Sequence, residues 1–177
     1  VRAALQKTSK FNYSQSYIDA GYKELEIPAN ADGSHKLRKD VLHIWPRGRY
    51  MLIALPNLDG SFTCTLFLDA YGPKSFASLN TDEKILDFFK NEFPDTVDLF
   101  PDVLADYHAN PTSNLVTVKC SPWKYNDDVM IIGDAAHAVV PFYGQGMNCG
   151  FEDCYLFDEL LDKLDLDLNK AITMINN

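Results

Sequence analysis

The first half of the chain alternates hydrophobic and polar positions in short runs, which is the pattern of β-strands. In "KELEIP", Leu25 and Ile27 alternate with charged residues, and the runs "DVLHIW", "YMLIALP" and "SFTCTLFL" follow. Turn sequences separate these runs, and Asp32-Gly33 suits a turn that needs a positive φ. Short β-rich runs joined by turns predict an antiparallel meander.

The run "YMLIAL" is apolar on both faces of its predicted strand. Met51, Ile53 and Leu55 point to one side, and Tyr50, Leu52 and Ala54 point to the other. A surface sheet usually leaves one side polar, so this pattern predicts cover on both sides. The second cover is either another layer of protein or a hydrophobic ligand pocket, and the pattern alone leaves both open.

The second half of the chain mixes helices with further strands. In "NTDEKILDFFKNEFPD", Thr81 can cap a helix whose apolar stripe contains Ile85, Phe88 and Phe89. The runs "SNLVTVKC" and "DDVMIIG" predict two strands, the second of them buried. A helix is predicted from Met147, with a buried stripe at helical spacing made of Met147, Phe151, Cys154, Phe157, Leu161 and Leu164.

Charge and cysteine usage exclude several classes of protein. The chain has 16 Lys+Arg against 25 Asp+Glu, a net charge of -9, which argues against nucleic acid as a partner. Its four cysteines form no CxxC pair, so the sequence predicts reduced thiols and no metal site. No apolar run approaches the roughly 18 residues of a membrane helix.

Small residues surround one acid in the segment "IIGDAAHAVVPFYGQGMNCGFED". Asp134 follows an apolar run, where ligands of α/β proteins bind, and its carboxylate can accept hydrogen bonds from a ribose diol. Further on, Gly144 to Asn148 lie where the predicted helix begins, and free N–H groups there favour a flat or negatively charged group. Each feature alone is compatible with a simple turn or loop, and His137 with a structural histidine, so the interpretation depends on their combination.

That combination, "GDAAH" followed by "P…GQGMN", resembles the second FAD-binding motif of the single-component FAD-dependent aromatic hydroxylases. "VR" at the start resembles the end of that family's "DG" motif. The resemblance implies the FAD/NAD(P)-binding fold of the aromatic hydroxylases, which is of the α/β (α+β) class. This chain would contribute the antiparallel sheet of the substrate domain and a strand–loop–helix of the FAD domain. It also implies that FAD contacts Arg2, Gly133, Asp134, Pro141, Gly144, Gly146, Met147 and Asn148.

Two longer stretches, "LHIWPRGRYMLIALPNLDGSFTCTLF" and "PFYGQGMNCGFEDC", resemble the kynurenine-hydroxylating branch of the family. This implies L-kynurenine as substrate, O2 and NADPH as co-substrates, and a flavin that carries the chemistry without a general acid or base from this chain. The substrate would contact Leu42, Met51, Ile53, Leu55, Phe67, Pro141, Phe142 and Gln145. The resemblance further implies a mitochondrial outer-membrane enzyme, anchored through a carboxy-terminal region.

Both ends of the chain suggest a piece of a longer protein, and we expect three segments. Residues 1–20 would end the FAD-binding half, 21–122 would form the substrate-domain sheet, and 123–177 would contact FAD. Three alternatives stay open: a phenol-type flavin hydroxylase, a reductase with the same FAD fold, and a non-enzymatic module that binds an apolar ligand.

Overall fold

The computed structural model describes residues 1–175, and within them the chain forms two compact units. The sheet unit comprises Ile18–Leu115, and the loop–helix unit combines Val1–Tyr17 with the chain from Val116 onward. Asn176 and Asn177, the end of the last predicted segment, lie outside the described residues. The assignment of the segments to substrate and cofactor stays a prediction.

A five-stranded sheet has the order β2-β3-β4-β1-β5, and β2 with β3, β3 with β4 and β4 with β1 pair antiparallel. Strands β1 and β5 continue along the chain from one unit into the other. The predicted meander is therefore confirmed for β2, β3 and β4. The strands are β1 (Asn12–Ile27), β2 (His43–Arg47), β3 (Tyr50–Pro56), β4 (Phe62–Asp69) and β5 (Ser113–Ser121).

One face of the sheet forms the core of the sheet unit. Leu52 pairs with Leu66 and Ala54 pairs with Cys64, and all four side chains are fully buried. They pack in one cluster with residues of α2 (Asp82–Glu92) and α3 (Val103–Ala109). A short 3₁₀ helix, Val97–Leu99, lies between these two helices along the chain.

Helix α2 forms as the sequence predicts. The Thr81 hydroxyl accepts a hydrogen bond from Lys84 N at 3.4 Å, which satisfies one of the free N–H groups of the first turn. The predicted stripe of Ile85, Phe88 and Phe89 is buried. Capping and amphipathic spacing therefore agree, and both are local signals that a sequence displays directly.

Lys23 places a charged side chain on the core face of β1. Its Nζ donates to the main-chain oxygens of Tyr107 at 2.9 Å and Asn110 at 2.6 Å, and it lies 4.5 Å from the ring centroid of Tyr107. Burial lowers the pKa of Lys23. These contacts connect β1 to the carboxy-terminal end of α3, whose carbonyl groups form the negative end of the helix dipole.

The loop–helix unit has a smaller core of its own. Leu5, Val118, Cys120, Ile131 and Ala136 are buried together in it. Its further elements are α1 (Arg2–Leu5), β6 (Lys124–Tyr125), β7 (Val129–Met130), α4 (Asp134–His137), a 3₁₀ turn (Pro141–Tyr143), α5 (Gly146–Lys163) and α6 (Leu168–Met174).

The predicted buried strand over residues 127–133 is wrong. Only Val129 and Met130 pair, with Tyr125 and Lys124, in a separate two-stranded sheet. Ile131 is buried as a loop residue whose N–H donates to Trp123 O at 2.8 Å. The apolar run is real, but it fills the core from an irregular segment instead of from a sheet.

The predicted buried stripe on α5 is also wrong, because its members differ in exposure. Phe157, Leu161 and Leu164 are half-buried, whereas Met147 and Phe151 are 68% and 64% exposed and Cys154 is also exposed. Helical spacing identifies residues that share a side of the helix. Within the described residues, however, nothing covers the amino-terminal part of that side, and its side chains are exposed. None of the described helices combines the length and the apolar character of a membrane span.

Candidate functional site

A sharp turn at Gly133 begins the candidate site in the loop–helix unit. Gly133 has φ 56° and ψ -144°, a backbone conformation that side chains rarely tolerate. Its carbonyl oxygen accepts hydrogen bonds from the N–H groups of Ala136 and His137, which form the single turn α4. The turn leaves Asp134 exposed directly after the buried Ile131 segment.

Arg2 binds the backbone of this turn. Its Nη1 donates to Asp134 O at 3.1 Å and to Ala135 O at 3.3 Å, and its guanidinium carbon lies 5.4 Å from the centroid of the Tyr13 ring. Two main-chain acceptors and the face of the Tyr13 ring hold the guanidinium group in place. These contacts hold the positive charge of Arg2 beside the main chain of Asp134.

The amino-terminal end of α5 supplies free N–H groups. The Cys149 N–H donates to Gln145 O at 2.9 Å, so Gly146, Met147 and Asn148 lie before the first complete helical hydrogen bond. Their N–H groups, with the positive end of the dipole of an 18-residue helix, favour an electron-rich or negative group.

Asp134 and the start of α5 lie next to each other. A Cβ placed on Gly146 would be 3.9 Å from Asp134 Oδ1, and a Cβ placed on Gly144 would meet nothing within 4 Å. Gly144 has φ 64°, the left-handed conformation that ends the Pro141–Tyr143 turn. A carboxylate acceptor, free N–H donors and open glycine backbone thus occur together, and this set of groups fits the hydroxyls and ring edge of FAD.

Gln145 uses its side chain within its own loop. Its Nε2 donates to Tyr143 O at 3.1 Å, and its Oε1 accepts from Asn148 Nδ2 at 3.0 Å. The exposed amide keeps one further N–H and one further lone pair. A substrate contact through Gln145 stays a prediction.

The predicted substrate residues of the sheet unit share one face of the sheet, apart from Leu42. Met51 pairs with Phe67, so these two side chains point to the same side, which Ile53 and Leu55 share. Ile53 and Phe67 are buried, Met51 is half-buried and Leu55 is 43% exposed, so cover on the second face of β3 is incomplete. Leu42 precedes β2 and is exposed; in the loop–helix unit, Pro141 and Phe142 are half-buried.

Two features around the turn were not expected from the sequence. Asp153 of α5 accepts hydrogen bonds from Gly133 N and from His137 Nε2, both at 2.7 Å. Cys120 Sγ lies 3.7 Å from Ala135 O, and burial raises the pKa of this thiol. The acid and the histidine are 16 residues apart, and no local pattern pairs residues at that separation.

The segment that contains this site is similar to known proteins. A family described as "FAD binding domain" matches residues 102–168, which include Asp134 and the start of α5. The kynurenine 3-monooxygenase of Flavobacterium psychrophilum is 60% identical over 94% of this chain, and those of Dictyostelium discoideum and Sus scrofa are 57% and 47% identical over 92% and 97%. This chain belongs to the kynurenine 3-monooxygenase family. It spans 37%, 35% and 36% of the length of these three relatives.

Solved structures show that this chain has the fold of flavin-dependent aromatic hydroxylases. A 2-methyl-3-hydroxypyridine-5-carboxylic acid oxygenase matches with a TM-score of 0.67 at 19% identity, over 93% of this chain and 43% of that one. A tetracycline destructase matches with a TM-score of 0.53 at 17% identity, over 93% and 44%. The predicted family and fold class are therefore confirmed.

Proposed function

We propose that the protein containing this chain is a FAD- and NADPH-dependent monooxygenase that hydroxylates L-kynurenine with O2. The observation that carries the proposal is the exposed Asp134 carboxylate beside the amino-terminal end of α5, in a chain of the kynurenine 3-monooxygenase family. The family resemblance supports NADPH, O2 and L-kynurenine, and the geometry of this chain supports the flavin.

FAD would be held by residues of the turn and of the start of α5. Asp134 would accept hydrogen bonds from hydroxyl groups of the cofactor, and Arg2, which binds the backbone of the same turn, would lie beside it. When bound, FAD supplies the transfer of electrons from NADPH to dioxygen. The N–H groups at Gly146, Met147 and Asn148 would stabilise negative charge on the ring system, while Gly133, Gly144 and Pro141 would leave room for close contact.

The substrate would be bound mainly by apolar side chains. In the sheet unit, Met51, Ile53 and Phe67 lie on one face, where Met51 is half-buried and the other two are buried, and we propose that this apolar face contacts the aryl ring together with Leu42 and Leu55. In the loop–helix unit, Phe142 and Pro141 would exclude water, and Gln145 would hydrogen-bond the substrate. No side chain of this chain is proposed as a general acid or base.

Substrate-dependent oxygen uptake tests the proposal. The complete purified protein should contain flavin, oxidise NADPH and consume O2 when L-kynurenine is added, and mass spectrometry should detect product heavier by one oxygen atom. A phenolic acid serves as the comparison substrate. Turnover of the phenolic acid but not of L-kynurenine would replace the proposal with a phenol-type hydroxylase, and a protein without flavin would overturn it.

We also propose the domain and membrane assignments that rest on resemblance alone. Residues 21–122 would serve the substrate, and residues 1–20 and 123–177 would serve FAD. A carboxy-terminal region of the complete protein would attach it to a membrane, in the mitochondrial outer membrane where the cell has one. Fractionation of cells that express the complete protein tests this, and recovery of all the protein without membranes would contradict it.

A further inference from the structure

The Asp153 side chain connects α5 to the turn that carries Asp134. It lies two turns into α5, is 12% exposed, and uses the single oxygen Oδ2 to accept from both the Gly133 N–H and His137 Nε2. Both distances are 2.7 Å, in the range of hydrogen bonds to a charged acceptor. One carboxylate therefore contacts the first residue of the turn and the last residue of α4.

His137 is held on its other side as well. Its ring stacks on Trp123 with a centroid distance of 4.7 Å and an angle of 18°, and the Trp123 indole N–H donates to Cys120 O at 2.9 Å. The stacked ring and the shared acceptor fix which way the imidazole points. Asp153 thus joins α5 to β5 and to the Trp123 loop through His137.

The hydrogen bond to Gly133 acts at a constrained point of the backbone. The N–H that Asp153 accepts belongs to the residue with φ 56°, and this φ sets the direction in which the chain continues to Asp134. Gly150, one helical turn before Asp153, lies against Gly133, because a Cβ on either glycine would be 3.8 Å from the Cα of the other. The turn is therefore fixed to α5 by close backbone contact and by a charged hydrogen bond.

We propose that Asp153 is a positioning residue for the cofactor. It holds the Gly133 turn against α5 so that the Asp134 carboxylate and the N–H groups at the start of α5 keep the spacing that FAD requires. The inference rests on the proposed binding of FAD at these two elements. Asp153 itself contacts backbone and imidazole, so its effect on the cofactor is exerted through the turn.

The test compares two substitutions at this position in the complete protein. Asp153→Ala removes the acceptor, whereas Asp153→Asn retains a carbonyl oxygen that can accept from both Gly133 N and His137 Nε2. FAD is titrated into the flavin-free protein, and hydrogen–deuterium exchange is followed in peptides that cover residues 130–138. Ile172→Ala, which shortens a buried side chain of α6 in the same unit, controls for general loss of stability.

Asp153→Ala is expected to weaken FAD binding by about tenfold or more and to speed exchange at residues 130–138 even without FAD. Asp153→Asn is expected to bind FAD within about threefold of the unsubstituted protein, because the geometry is retained. Ile172→Ala should lower the melting temperature with FAD affinity unchanged.

The outcomes separate this inference from the proposed function. If the unsubstituted protein does not bind FAD, the proposed function fails and the inference fails with it. If it binds FAD and Asp153→Ala binds equally well, or if Ile172→Ala weakens FAD binding as much as Asp153→Ala does, only the positioning role is overturned. The role is equally overturned if exchange at residues 130–138 is the same in Asp153→Ala as in the unsubstituted protein.

Discussion

Replacement of Gly133 by alanine should destabilise the protein through the backbone alone. With φ 56° and ψ -144°, Gly133 occupies a region nearly restricted to glycine, where another residue costs about 1–3 kcal/mol. An added Cβ would meet only Gly150 Cα at 3.8 Å, an ordinary contact, so no steric clash adds to this cost. Alanine also restricts the unfolded chain, which returns about 0.4–1 kcal/mol. The difference of the two ranges is centred on a net loss of about 1.3 kcal/mol in the free energy of unfolding.

Gly150→Ala is the matched control, because it adds a methyl group to the other side of the same contact. Gly150 lies inside α5, where alanine should stabilise the helix by up to about 1 kcal/mol. The assay is urea-induced unfolding of the complete flavin-free protein, followed by tryptophan fluorescence, with the slope compared between variants. If Gly133→Ala unfolds at the same urea concentration as the unsubstituted protein, the glycine-specific turn is wrong.

Three further predictions concern single side chains. Gln145→Leu should raise the Michaelis constant for L-kynurenine while FAD stays bound. Gln6→Leu, at an exposed position, is the control, and an unchanged Michaelis constant in Gln145→Leu would remove Gln145 from the substrate site. Burial raises the pKa of Cys64 to about 12, so iodoacetamide at pH 8 should label native Cys64 about a thousandfold more slowly than unfolded Cys64, and equal rates in mass spectrometry contradict this. Lys23→Met should lower the free energy of unfolding by about 1–3 kcal/mol, because two carbonyl groups lose their donor. Burial lowers the pKa of Lys23, so the folded protein loses the proton of this amine at a lower pH than the unfolded protein does. As pH rises toward the ordinary lysine pKa, the free energy of unfolding of the unsubstituted protein should therefore increase relative to that of Lys23→Met. A difference between the two proteins that stays constant with pH contradicts the lowered pKa.

Local signals in the sequence predicted the elements that local physics determines. Thr81 and the stripe from Ile85 to Phe89 specified α2, and the turn at Asp32-Gly33 forms with Gly33 at φ 80°. The alternation in β3 correctly separated Leu52 and Ala54 from Met51 and Ile53. These features depend on residues at most a few positions apart, so a single sequence displays them.

Features set by tertiary contacts escaped the same reasoning. The apolar run at Val129–Ile132 indicated a buried strand, but strand pairing depends on a partner, and only a two-residue ladder forms. The stripe on α5 combined half-buried Phe157 with exposed Phe151, since spacing does not report whether a helix side is covered. Asp153 was missed because its partners Gly133 and His137 are distant in sequence.

For the candidate site, the sequence predicted the chemical groups, and the structure supplied their arrangement. The acid at Asp134 and the glycines before α5 were visible as residue types in one segment. Their mutual distance, with Asp134 Oδ1 3.9 Å from a Cβ placed on Gly146, required coordinates. The contact of Arg2 with the turn joins residues more than 130 positions apart, and only the family motif indicated that Arg2 matters.

We propose that Asp134 and the start of α5 hold the flavin, and an equilibrium titration of FAD measures their contribution. The complete flavin-free protein is titrated by fluorescence in its unsubstituted form, as Asp134→Ala, and as Asp128→Ala, an exposed acid of the same unit. Loss of a carboxylate acceptor should weaken binding about tenfold or more in Asp134→Ala, with Asp128→Ala unchanged. Equal FAD affinity in all three proteins would show that Asp134 does not hold the flavin.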